Sequence, residues 1–342
     1  MSQLRLNTEL GSSLIVVPGS MQDLTAYSSP EKTILLVDEN VFRHHATRLE
    51  KYRIIQVPEG EKSKSLESYG NVFGKMLEAG VDRTWKLVAV GGGITTDLGG
   101  FVASSYFRGI EFGFVSTTLL GQVDAAIGGK NGINYKGYKN LIGIIRQPSF
   151  VLNDLESLET LPEKEFTGGF AEIIKYGFIR NQAIYSFLEE NLEKAKAKDM
   201  PVLEKLVYDS ALVKINIVES DVSEKGDRKL LNFGHTFAHA IEKLAGWSHG
   251  EAVSAGMVLA GKLSVNLGFC NAGNFDKLYN ILERTGLPVN INISGPELVE
   301  AMQKDKKKAG DRMHLILLRD IGNAFVHEVK ITNLISMVND LY

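Results

Sequence analysis

Residues 85–104 read WKLVAVGGGITTDLGGFVAS. An apolar, β-branched run passes directly into three glycines and then into a stretch of helical character. That order predicts a strand, a tight turn and a helix. Glycines let a backbone turn sharply and approach a ligand closely, and a helix start offers unpaired N–H groups to an anion. The spacing is not G-x-G-x-x-G, so the ordinary dinucleotide fingerprint is not met. On its own the loop is either a phosphate cradle or a close-packed turn. Working outward, TILLVD (33–38), FGFVSTT (112–118) and PSFVLNDL (148–155) are strand-like runs of the same kind. In SLESYGNVFGKMLEAG (65–80), Leu66, Tyr69, Val72, Phe73, Met76 and Leu77 recur at helical spacing, and Gly80 is a natural stop. Short apolar strands alternating with helices predict an α/β, Rossmann-like layer with a mostly parallel sheet covered on both faces.

Beyond residue 160 the character changes. The segments around 161–191, 201–222, 232–244 and 250–268 all carry helical periodicity. The exception is RMHLILLRDIGNAFVHEV (312–329), which predicts a hairpin turning at Gly322-Asn323. The expected division is therefore an α/β domain over 1–158 and a mostly α-helical domain over 159–342. A chain of 342 residues is long enough for two domains, and 44% hydrophobic with 23% charged residues suits a packed core. The single Cys270 allows no internal disulfide and fits a cytoplasmic, reducing setting. The start, MSQLRLNTELGSS, lacks an apolar signal stretch, and no apolar run reaches membrane-spanning length. A net charge of −3 argues against general nucleic-acid binding. An anionic ligand would have to be met by local cations.

The second informative stretch is RKLLNFGHTFAHAIEKLAGWSHGE (228–251), which holds three of the seven histidines. His235 and His239, four apart, share a helix face. They form the histidine half of H-E-x-x-H without its glutamate, so protease chemistry is not indicated. His249 follows a Gly246-Trp247 break, and a helical turn-back would bring it near His235. Catalytic zinc takes three protein ligands, commonly two histidines and a carboxylate. Glu242, Glu251 and the distant Glu172, in apolar GGFAEIIKYG, are all candidates, and the spacing does not choose among them. Asp38 closes a strand, where a carboxylate could bind both ribose hydroxyls of NAD. It lies before the glycine loop, however, and taken alone it reads first as a solvated strand end. Arg108, Lys130, Lys139, Lys175, Lys214, Arg228 and Lys306 are cations in apolar or glycine-rich settings, suited to a phosphorylated, carboxylated substrate.

The chain resembles the 3-dehydroquinate synthases, of the sugar phosphate cyclase superfamily, nearly from end to end. The motifs are PEGEKSKS (58–65), GGGITTDLGGFVASSYFRG (91–109), STTLLGQVDAAIGGKNGINY (116–135), KNLIG (139–143), GGFAEIIKYG (168–177), DRKLLNFGHTFAHAIE (227–242), SHGEAV (248–253) and KDKK (304–307). The resemblance implies zinc, with cobalt as a possible substitute, on Glu172, His235 and His249. It implies NAD contacts at Asp38, at Glu59, Gly60, Glu61, Lys62, Ser63 and Lys64, and at Gly93, Ile94, Thr95, Thr96 and Asp97. Thr117, Thr118, Lys130, Lys139, Ser157, Leu158, Glu159 and Thr160 complete that set. Substrate contacts are implied at Asp124, Lys130, Asn140, Lys175, Lys214, Glu224, Arg228, Asn232, His239 and Lys306, with Arg108 reaching the substrate phosphate across a homodimer interface. Catalytic roles are implied for His239, Lys130, Lys175, Glu224 and Asn140.

The implied substrate is 3-deoxy-D-arabino-heptulosonate 7-phosphate, a step toward aromatic amino acids in the shikimate pathway. Transient oxidation at C5 by NAD, phosphate elimination, reduction, ring opening and aldol closure would give 3-dehydroquinate. NAD would emerge unchanged. Two alternatives remain. One is another sugar-phosphate cyclase, against which Lys214, Asp221, Arg228, Asn232 and His239 keep the dehydroquinate-synthase types. The other is a metal-dependent polyol dehydrogenase of the glycerol dehydrogenase type, which has no need of phosphate-gripping cations.

Overall fold

The computed structural model describes residues 2–306, 312–339 and 341, without the side chains of 304–306 and 339. The chain forms two compact units. The first is Met1–Pro162 together with Leu203–Val222, and the second is Glu163–Val202 together with Ser223–Tyr342. A single boundary at 158/159 does not contain the return of 203–222 to the first unit.

The first unit is built on a seven-stranded sheet. Its elements in chain order are β1 (Ser2–Thr8), β2 (Gly11–Gly19), β3 (Thr33–Asp38), α1 (Glu39–His45), β4 (Arg53–Val57), α2 (Leu66–Glu78), β5 (Lys86–Gly91), α3 (Gly93–Ser105), β6 (Glu111–Ser116), β7 (Lys130–Tyr135), β8 (Tyr138–Ile145) and β9 (Phe150–Asp154). The strand order is β1-β2-β9-β6-β5-β3-β4, and every pairing is parallel except β1 with β2. The β-branched runs are buried on both faces, as a parallel sheet requires: Val37, Val88, Val90, Val115 and Leu152 are fully buried. Helix α2 starts where Ser65 caps Ser68 N–H, and Gly80 beyond its end takes φ +70°. The antiparallel β1–β2 hairpin and the separate β7–β8 ribbon were not foreseen from sequence. β8 has no buried face to impose alternation.

The second unit is mostly helical. It contains α4 (Glu163–Ile179), α5 (Gln182–Lys196), α7 (His235–Ala245), α8 (His249–Asn266), α9 (Ala272–Thr285), α10 (Gly295–Lys306) and α11 (Ile331–Asn339), while α6 (Met200–Ser220) continues into the first unit. The predicted hairpin is present as β10 (Arg312–Asp320) and β11 (Asn323–Lys330), turning at Ile321-Gly322. From Gly168 to Ile179, α4 is buried on every side. A helix so enclosed is normally apolar throughout, yet it carries Glu172 and Lys175 in its interior.

Candidate functional site

In the first unit the residues expected to hold a nucleotide lie where neighbouring strands end. Asp38 closes β3, Gly93 to Asp97 open α3 just after β5, Thr117 and Thr118 follow β6, and Ser157 to Thr160 follow β9. These strands are adjacent in the sheet. The carboxyl edge of a parallel sheet is where such folds bind ligands. The glycines there are tightly backed: a Cβ on Gly91, Gly92 or Gly93 would come within 2.6, 2.8 and 2.8 Å of the Thr95, Thr118 and Ala125 side chains. Asp38 is neither bare nor simply solvated. It caps α1 through Asn40 N–H at 2.9 Å, and burial raises its carboxyl above the ordinary range. Glu59, Gly60, Glu61 and Lys62 are exposed on the next loop, whereas Ser63 and Lys64 are buried. The Lys64 ammonium bonds both Asp97 and Asn140. Burial raises the Asp97 carboxyl, against the pull of Lys64. Ser157 Oγ donates to the Thr117 carbonyl at 3.1 Å.

The first unit also holds some of the expected substrate contacts. Asp124 sits on a π-helical turn, Gly121–Ala125, and the Lys214 ammonium bonds its carboxylate and its carbonyl. π-turns of this kind recur at functional sites. Lys130 and Lys139 are exposed on β7 and β8. Among the described residues, six non-glycines take positive φ: Phe107, Arg108, Lys136, Asn140, Lys198 and Glu224. Arg108, Asn140 and Glu224 are half of that set. Strain of this sort gathers at ligand sites, and nothing in the sequence announces it.

The second unit holds the metal candidates. Glu172, on α4, is fully buried, and His235 and His249 present Nε2 to its Oε1 at 3.5 and 3.6 Å. One ligand atom from each of the three lies within 4.8 Å of the others. A buried carboxylate facing two imidazole nitrogens fits a divalent ion in a three-ligand site. Glu251 and Glu242, the other local candidates, have different tasks. Glu251 forms a capping box with Ser248 at the start of α8, which fixes the backbone of His249. Glu242 faces the other nitrogen of His249, with Oε1 2.9 Å from Nδ1. The Nδ1 of His235 faces the Phe233 carbonyl at 3.2 Å. Both rings thus have Nδ1 engaged and Nε2 turned to Glu172. His239 lies outside this set, exposed, with its ring 6.2 Å from that of His235.

The electrostatics divide the two imidazoles. Burial and the neighbouring Lys175 ammonium push His235 down to about 3. At His249 burial acts downward too, but hydrogen bonds to the Glu172 and Glu242 carboxylates prevail and raise it to about 9. Lys175, one turn beyond Glu172 and as deeply buried, pairs with its carboxylate. Arg228 is buried, and Asn232 Nδ2 donates to Glu224 Oε1 at 2.6 Å. Lys306 ends α10, and its side chain lies outside the described residues.

Glycines set the spacing of the ligands, a role the sequence reading missed. A Cβ on Gly250 would fall 2.3 Å from the Gly168 carbonyl oxygen, so α4 and α8 touch backbone to backbone. A Cβ on Gly256 would fall 2.2 Å from the Gly234 carbonyl oxygen, which joins the start of α7 to α8. Gly234 precedes His235, Gly250 follows His249, and Gly168 stands one turn before Glu172. The visible signal was there: a glycine beside or one turn from each ligand.

Fold and site together define an α/β-plus-helical protein with a three-residue cluster that could hold a metal ion. The chain is similar in structure to 2-deoxy-scyllo-inosose synthase complexed with carbaglucose-6-phosphate, NAD+ and Co2+, at TM-score 0.88 and 24% identity over 99% of this chain and 100% of that one. It is also similar to a probable glycerol dehydrogenase from Sinorhizobium meliloti 1021, at TM-score 0.67 and 17% identity over 94% of this chain and 93% of that one. These likenesses establish the fold. The particular family follows from sequence: residues 54–168 match the 3-dehydroquinate synthase N-terminal family and 169–308 the 3-dehydroquinate synthase C-terminal family. The 3-dehydroquinate synthase of Chlorobaculum tepidum is 42% identical over 88% of this chain and 87% of its own length. That of Dictyoglomus thermophilum is 44% identical over 80% and 78%. The chain belongs to the 3-dehydroquinate synthase family.

Proposed function

We propose that this chain is a carbon-oxygen lyase that converts 3-deoxy-D-arabino-heptulosonate 7-phosphate to 3-dehydroquinate and phosphate. The observation that carries the proposal is the Glu172–His235–His249 cluster in a chain whose family membership spans most of its length. Bound zinc would polarise the substrate's vicinal hydroxyls, and bound NAD would accept and return one hydride at C5. The protein's own part is to hold and orient. Glu172, His235 and His249 would ligate the ion, with Lys175 beside them as a cation for the substrate. Arg228, Lys214, Asn232, Glu224, Asn140, Asp124, Lys130, Lys306 and His239 would fix the carboxylate, ring hydroxyls and phosphate in one pose, which is worth far more than any single contact. His239, exposed beside the cluster, would relay the C5 hydroxyl proton. Asp38, Glu59 to Lys64, Gly93 to Asp97, Thr117, Thr118, Lys139 and Ser157 to Thr160 would bind NAD.

We also infer a division of labour, nucleotide binding over 1–158 and metal binding over 159–342 apart from the returning segment 203–222, and a homodimer in the cytoplasm. β8 supports the dimer: among the described residues it pairs only with β7, and Tyr138, Leu141, Ile144 and Ile145 on it are each more than a third exposed. Open apolar edges of this kind are normally covered. No helix among the described residues is long and apolar enough to cross a membrane.

The deciding experiment incubates the protein with the heptulosonate phosphate, substoichiometric NAD and zinc. Phosphate release without net NADH is expected. NADH accumulating with glycerol, and no phosphate release, would instead mark a polyol dehydrogenase.

A further inference from the structure

Two imidazoles face Glu172, but they are held from behind by unequal acceptors. The Nδ1 of His235 meets a neutral backbone carbonyl, that of Phe233, at 3.2 Å. The Nδ1 of His249 meets the carboxylate of Glu242 at 2.9 Å. A carbonyl is enough to fix a tautomer, as His235 demonstrates. A carboxylate whose side chain is only 6% exposed is expensive to keep out of water. It also adds negative charge on the opposite side of the ring from the Nε2 that faces Glu172, which a carbonyl does not. Glu242 stands two turns into α7, on the same helix as His235, so it is carried by the element that delivers the other ligand.

We propose that Glu242 is a positioning residue of the metal centre. It holds the His249 proton on Nδ1, turns the Nε2 lone pair toward the ion, and by its charge makes His249 the stronger donor of the two imidazoles. Glu251 sets the backbone of His249 and Glu242 sets its ring, so neither carboxylate is itself a ligand. The inference rests on Glu172, His235 and His249 being the ligands.

The test follows zinc release from the loaded protein into excess chelator, comparing the parent with Glu242→Gln and Glu242→Asp. Release reports on the loaded site and is blind to protons competing for the metal-free one. Glutamine keeps the length and an acceptor oxygen but removes the charge. The parent is expected to carry one zinc per chain, and Glu242→Gln to release it about 10- to 100-fold faster, in line with the loss of comparable outer partners. Glu242→Asp, which keeps the charge, should fall between them. The visible spectrum of the cobalt-loaded Gln variant should differ from the parent's, a change in the ligand field that a purely structural role would not produce. A Gln variant that releases zinc within about twofold of the parent overturns the proposal, as does an Asp variant as fast as Gln. A parent that takes up no zinc overturns the ligand set itself, and with it this inference.

Discussion

The two candidate regions are made of different material. In the first unit the nucleotide region is largely backbone: glycines after β5, helix starts and loop amides at the carboxyl ends of adjacent strands, with Asp38 as a side-chain accent. In the second unit the metal region is side chains alone, delivered by three helices and packed behind by glycine contacts. A backbone site tolerates many side chains but no added atoms. A side-chain site fails when one functional group is lost.

The sharpest test of that contrast is His249→Ala. It should abolish zinc binding and turnover while the folded signal by circular dichroism persists; full zinc occupancy by metal analysis would reject the assignment. Next is Glu172→Gln, which strands the Lys175 ammonium in the interior of α4. Breaking a buried pair from one side costs about 3–5 kcal/mol, so denaturant unfolding should show a loss of that order. Adding Lys175→Met should recover part of it, because the two positions are directly coupled. In the backbone region Gly91→Ala should cost about 1–3 kcal/mol by overpacking Thr95 and weaken NAD, leaving zinc untouched. Asp38→Ala is a milder blow to the same region. Loss of one charge-assisted contact, about 1.5–3 kcal/mol, should weaken NAD in calorimetry with no change in zinc, and unchanged NAD affinity would count against a ribose role.

The smallest effect concerns pH. His45, beside Thr160 at 3.0 Å, is held below its ordinary value of 6.5, first by burial and then by Arg48. The unfolded chain therefore takes up a proton before the folded one does. Stability from this group is complete above pH 6.5 and falls as pH drops below it. His45→Gln should flatten that part of the acid slope in denaturation curves taken between about pH 5 and 8, the range in which an ordinary histidine titrates. An unaltered slope would mean that His45 is as free as in the unfolded chain.

The same contrast governs how much could be read beforehand. β3, β5, β6 and β9 were legible because a strand buried on both faces must be a continuous apolar run, and α2 because it is amphipathic with a cap and a stop. β8 was not, since an exposed ribbon imposes no period. Nor was the return of 203–222 to the first unit, because α6 is one unbroken helix whose periodicity says nothing about its neighbours. Among the ligands, His235 and His249 stood out by crowding. Glu172 could not be chosen over Glu242 and Glu251 from spacing, for all three are glutamates near helical segments and only three-dimensional proximity separates a ligand from a cap and a ring-holder. The family resemblance made that choice, and the cluster geometry agrees with it. The positive φ of Arg108, Asn140 and Glu224 was invisible, as these residue types do not demand it.

The glycine pairs 168–250 and 234–256 carry a consequence for ion choice. Helices already in backbone contact cannot slide closer, and the two pairs tie α4 and α7 to the same partner helix. An ion larger or smaller than the preferred one must then be met by rotation of the Glu172, His235 and His249 side chains alone. Discrimination between metals becomes a matter of rotamer strain against a fixed gauge, and widening that gauge by a single methyl at Gly250 should retune it.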